Sequence, residues 1–84
     1  MIQARIDDFL IELSSYIGHD YLSHEQIVLG DDTRFDQLKF DLVDEVITEL
    51  FVQRHFDLHG WTCDIWPDTI GALLDMVREA SNGA

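Results

Sequence analysis

Asp41-Leu42-Val43-Asp44-Glu45-Val46-Ile47-Thr48-Glu49-Leu50-Phe51 is the stretch on which the fold of this chain turns. Asp41 has a side chain suited to accept the orphan backbone N–H groups of a first helical turn, and Asp44 follows three residues on. Val43, Val46, Ile47, Leu50 and Phe51 recur at steps of three and four, which predicts that they form the buried stripe of an amphipathic helix. The same period sets Asp41, Glu45 and Glu49 on the opposite side as a negative ridge. Like charges at this spacing weaken a helix by about 0.2–0.5 kcal/mol per pair, a small cost that function can justify and that an acidic chain also meets by chance.

Working outward, Ile2, Ile6, Phe9, Leu10, Leu13 and Ile17 predict a first helix over about residues 2–17, with Asp7, Asp8, Glu12 and Ser15 facing away and Gly18 as its stop. The pattern dissolves from His19 to Lys39, where Ser23-His24-Glu25-Gln26 has the spacing of a capping box and Gly30-Asp31-Asp32-Thr33 reads as a turn. From Phe56 to Pro67 runs an aromatic connection in which Gly60 ends one element, Trp61, Ile65 and Trp66 plug the end of a bundle, and a short helical turn is admissible. Asp68 caps a last helix whose Ile70, Leu73, Leu74 and Val77 again step by three and four before Ser81-Asn82-Gly83-Ala84 frays. The expectation is all-α: a small bundle of three main helices plus a short one, a single helical domain over residues 1–84.

With 84 residues, 46% hydrophobic and 26% charged, the chain has material for one core. No run approaches the roughly 18 apolar residues of a membrane span, and Met1-Ile2-Gln3-Ala4-Arg5-Ile6-Asp7-Asp8 lacks the apolar centre of a signal peptide, so a cytoplasmic monomer is expected. One cysteine, Cys63, excludes an internal disulfide and any Cys-rich zinc site. A net charge of -12 repels nucleic-acid phosphates and anionic lipids, which makes basic proteins the expected partners.

Other chemistry is thinly supported. His55 and His59 have the four-residue spacing of a helical zinc pair, yet Asp57-Leu58-His59-Gly60 looks like a helix end and no third ligand has a fixed spacing. No metal site is expected. Cys63 with His19 or His24 is the material of a Cys/His pair, but a lone cysteine between two tryptophans reads as a small core residue. There is no glycine-rich phosphate loop and no serine elbow, and the expectation is a protein that is not an enzyme.

The order of elements, together with Asp32-Thr33-Arg34-Phe35-Asp36-Gln37-Leu38-Lys39-Phe40-Asp41-Leu42-Val43-Asp44-Glu45-Val46, resembles the acyl carrier proteins, whose signature has an Asp-Thr-x-Phe-x-x-Leu approach followed by Asp-Ser-Leu. Thr69-Ile70-Gly71-Ala72-Leu73-Leu74 is similar to the opening of that family's last helix, and the likeness covers most of the chain. Two positions depart: Lys39 stands at the usual glycine, and Leu42 stands where the family attaches phosphopantetheine to serine. Without a hydroxyl at Leu42 no cofactor is expected. Ser14, Ser15, Ser23 and Ser81 remain, and none follows an aspartate at the head of a helix. The resemblance implies an acyl-carrier-like interaction module without its arm, whose second helix presents Asp41, Leu42, Asp44, Glu45 and Glu49 to a basic partner such as an enzyme of fatty-acid, polyketide or lipid biosynthesis. Leu42 either projects as an apolar anchor or packs inward. The alternatives are a working carrier modified at another serine, and an acidic antitoxin, chaperone or nucleic-acid mimic that uses the Asp7, Asp8 and Glu12 face instead.

Overall fold

Ile6, Phe9, Leu13 and Ile17 are buried along one face of α1 (Ile2–Asp20), as their spacing requires. The computed structural model of the protein describes residues 2–20 and 29–83, and the expected Ser23–Gln26 capping box lies outside them. α1 runs through Gly18 to Asp20, past the expected stop, because glycine permits the left-handed closing conformation without imposing it. Gly30 to Thr33 form the expected turn: the Thr33 amide donates to the Gly30 carbonyl at 3.1 Å, and the Gly30 amide donates to Thr33 Oγ1 at 2.9 Å.

A 3-10 turn, Phe35–Leu38, follows and buries both of its apolar ends. It closes on Lys39 with φ 53° and ψ 42°, the left-handed region that favours glycine. α2 (Leu42–Phe56) then opens on a capping box in which Asp41 Oδ1 accepts the Asp44 amide at 2.9 Å and Asp44 Oδ2 accepts the Asp41 amide at 3.1 Å. α2 ends at Asp57, also left-handed, where the Leu58 amide donates to the Gln53 carbonyl.

The predicted inner face of α2 is overturned. Thr48, Val52 and Phe56 are its buried residues, whereas Val43, Val46 and Leu50 are exposed and Ile47 and Phe51 only half-buried. At 100° per residue the helix is turned by about half a revolution from the expected orientation. Apolar residues lie all round this helix, so periodicity alone left the choice open; the contacts with α1 make it. Phe9 meets Phe56 and His55 edge-on at 5.7 and 6.1 Å, Tyr16 meets Phe51 at 6.0 Å, and Tyr16 Oη donates to Asp44 Oδ1 at 2.7 Å. These pairs run in opposite chain order, so α1 and α2 are antiparallel. Thr48 tolerates full burial because its hydroxyl donates to the Asp44 carbonyl one turn back at 2.8 Å.

α3 (Ile70–Gly83) buries Ile70, Leu73, Leu74 and Val77 as expected. Its cap is Thr69, not Asp68: Thr69 Oγ1 accepts the Ala72 amide at 3.2 Å, while the Asp68 carbonyl accepts the Phe35 amide at 3.0 Å. Residues 34 and 69 pair as an isolated bridge, which uses Asp68 for the pairing and leaves Thr69 at the helix start. Two further first-turn amides are satisfied from the turn before the 3-10 segment, Ile70 by the Thr33 carbonyl and Gly71 by the Asp31 carbonyl, each at 2.9 Å. A Cβ on Gly71 would stand 2.8 Å from that Asp31 oxygen, so only glycine fits here.

The connection between α2 and α3 contains no helix. Trp66 packs on Phe35 at 5.3 Å and on Phe40 at 6.2 Å, and Trp61 lies against the core, as end plugs should; Ile65 instead points into solvent. Among the described residues the result is an all-α bundle of three helices and one short 3-10 turn.

Candidate functional site

The half-revolution of α2 redistributes every residue expected to meet a partner. Leu42 is 78% exposed, and Val43, Val46 and Leu50, at 63%, 54% and 55%, continue from it along one open face of α2. Leu42, Val46 and Leu50 are spaced by four and form one ridge; Val43 lies beside it, seven residues before Leu50. The outward alternative for Leu42 is thus the one realised. The chain bends into α2 at Asp41, whose reciprocal box with Asp44 holds the first turn and leaves the next side chain no core to reach.

The carboxylates do not sit opposite a buried stripe. Glu45 and Glu49 are half-buried on the edge of α2 that turns toward the tryptophan connection, and Asp41 is exposed at the cap. Glu49 Oε2 accepts the Cys63 amide at 2.7 Å, so this carboxylate fastens the connection to α2. Asp44 is likewise engaged, by the Asp41 amide and the Tyr16 hydroxyl. Asp41 and Glu45 are the members of the expected set whose charge borders the open apolar ridge without such a tie across the fold.

Beside the α2 N-terminus lies a cavity of about 210 Å³ lined by Tyr16, Ile17, Leu38, Lys39, Phe40, Asp41 and Asp44. Its walls join an apolar floor to a phenol, two carboxylates and the chain's single lysine. Phosphopantetheine, which the resemblance would bring to this end of α2, does not fit the residues present. Leu42 offers no hydroxyl; Ser14 Oγ donates to the Ile11 carbonyl within α1 at 3.0 Å, Ser15 is exposed but stands inside α1 and not at a helix start, and Ser81 Oγ is buried on α3. Ser23 lies outside the described residues.

On the seam between α1 and α2, Glu12 Oε1 accepts from Arg54 Nη2 and lies 3.0 Å from His55 Nε2. Burial first, and then the Arg54 charge, hold the His55 imidazole below its ordinary value of 6.5, with Asp8 pulling the other way. A neutral imidazole donates its Nε2 proton to Glu12. His59 lies beyond the end of α2, in an exposed turn, so the two histidines four residues apart do not share a helical face. Among the described residues no group of three or more His, Cys, Asp and Glu side chains is placed to hold a metal ion.

Cys63 is half-buried, and its thiol donates to the Ile65 carbonyl at 3.0 Å. Burial, reinforced by Glu49, Asp64 and Glu45, pushes this thiol above its ordinary value, the opposite of what a nucleophile needs. No described helix is long and apolar enough to cross a membrane.

The open ridge of α2 carried no signal in a period search, because apolar residues on an outer face look like apolar residues of a core. The one usable hint was Thr48, whose side chain can be buried at low cost by bonding back to its own helix. No protein-family model, curated protein or solved structure matches the chain.

Proposed function

We propose that this chain is a non-catalytic, acyl-carrier-like interaction module without a phosphopantetheine serine, which binds a basic partner protein through α2. The observation that carries the reading is Leu42: at the first turn of α2, directly after the Asp41–Asp44 box, an apolar side chain stands in solvent where the resembled family carries its arm. A leucine there cannot bear a prosthetic group, but it can be covered by a partner. The face around it supports the same reading. Leu42, Val43, Val46 and Leu50 supply desolvated contact area, and Asp41 and Glu45 supply a charged rim, the usual division between the middle and the edge of an interface.

The net charge of -12 steers basic proteins toward the chain and disfavours other acidic ones. Enzymes of fatty-acid, polyketide or lipid biosynthesis are the partner class that the resemblance implies. The test joins two measurements on protein from its own host. Intact mass after treatment with a broad phosphopantetheinyl transferase and coenzyme A should be unchanged, and a gain of one phosphopantetheine would establish a working carrier instead. Capture from host extract should retain a basic protein that is lost with Glu45→Lys and with Leu42→Asp; retention by both variants, with loss on Asp7→Lys and Asp8→Lys, would move the contact to α1.

A further inference from the structure

We infer that the segment received by α2 is an amphipathic helix whose apolar seam lies along Leu42, Val46 and Leu50 and whose lysines or arginines flank that seam. The inference rests on the reading of the chain as a partner-binding module and gives that partner's contact a shape. A ridge of side chains repeating every four residues along more than two turns is complementary to the grooves of another helix, and a helix laid on it meets apolar anchors at the matching steps. Ile65, the most exposed large apolar side chain among the described residues, extends the surface beyond the helix: the Glu49–Cys63 bond holds its segment to the Glu45 and Glu49 edge of α2, and the Cys63 thiol bond holds its carbonyl. Isolated exposed apolar residues need no explanation, but four on one helix face do.

Charge decides against a second copy as the occupant. The chain has five Lys and Arg residues, and the four arginines are already paired within it: Arg5 with Asp57, Arg34 with Asp36, Arg54 with Glu12 and Arg78 with Asp75. Among the described residues Lys39 has no such ion pair. Two copies meeting along α2 would bring Asp41 and Glu45 of each chain together with almost nothing to neutralise them. The partner must bring the cations, and an apolar seam with a basic flank brings both.

The experiment uses the full chain and three synthetic helices of about four turns. One carries a leucine seam flanked by lysine, one the same seam flanked by glutamate, and one the lysines with serine in place of the seam. The leucine–lysine helix is expected to bind and to shift the amide resonances of Val43, Val46 and Leu50. Binding should weaken at least about tenfold with Val46→Asp or Leu50→Gln, which put polar groups against the seam, and stay unchanged with Ile11→Asp on the exposed side of α1. Equal binding by the serine–lysine helix, or binding indifferent to both α2 variants, would overturn the helix seam while leaving a basic partner standing. Tighter binding by the leucine–glutamate helix, or a dimer of the chain that Val46→Asp dissolves, would overturn both.

Discussion

Val52→Ala and Leu50→Ala, measured side by side, decide how α2 faces. Val52 is fully buried in the cluster with Phe9, Leu13 and Phe56, so truncation removes two methyl groups from a closed space. At about 0.8 kcal/mol per buried carbon, with a further cavity contribution, the expected cost is about 2–3 kcal/mol. Leu50 loses more atoms, but over half of its surface already faces water, and the expected cost is below about 1 kcal/mol. In a domain of this size about 1 kcal/mol moves the melting temperature by 4–8 °C, so the two variants should separate by about 4 °C or more. Urea titration followed by circular dichroism, with thermal melts beside it, gives both numbers. A Leu50→Ala loss equal to or larger than that of Val52→Ala would return α2 to the orientation expected from its period. It would also remove the open ridge on which the proposed function stands.

Gly71→Ala places a methyl group 2.8 Å from the Asp31 carbonyl and breaks the bond that caps α3, so a loss of about 1–3 kcal/mol is expected in the same urea assay. Lys39→Gly should act in the other direction: relief of a left-handed non-glycine backbone exceeds the added freedom of the unfolded chain, and a gain of about 0.5–1 kcal/mol is expected, read as a higher urea midpoint. His55 makes stability depend on pH. Its imidazole is held below 6.5 in the fold, so the unfolded chain takes up the proton first as pH falls; stability is full above 6.5 and is lost as pH drops from there through the folded value. Urea midpoints between about pH 7.5 and 5.5 should fall for the wild type and stay flatter for His55→Asn, and parallel curves would refute the assignment.

Legibility in the sequence differed sharply from helix to helix. In α1 and α3 the large apolar residues, Ile11 excepted, concentrate on one side, so Ile6, Phe9, Leu13 and Ile17, and Ile70, Leu73, Leu74 and Val77, named their own inner faces. In α2 the list Leu42, Val43, Val46, Ile47, Leu50, Phe51, Val52 and Phe56 covers the circumference, and hydrophobicity alone could not rank one side above another. The Asp41 start was readable because a cap depends on neighbours three residues away. The cap of α3 was not, since the pairing of residues 34 and 69, across half the chain, moved the helix start from Asp68 to Thr69.

The sequence by itself determined the class of fold, the approximate spans of the helices, the acidic excess and the missing hydroxyl at Leu42, all properties set by composition or by residues within a turn of one another. Tertiary structure decided what faces outward. Packing of Thr48, Val52 and Phe56 against α1 opened Leu42, Val46 and Leu50 to solvent, and the Cys63 amide drew Glu49 out of the expected ridge. Those choices depend on which long-range contacts give the densest core, a condition on the whole chain that no single stretch of it contains.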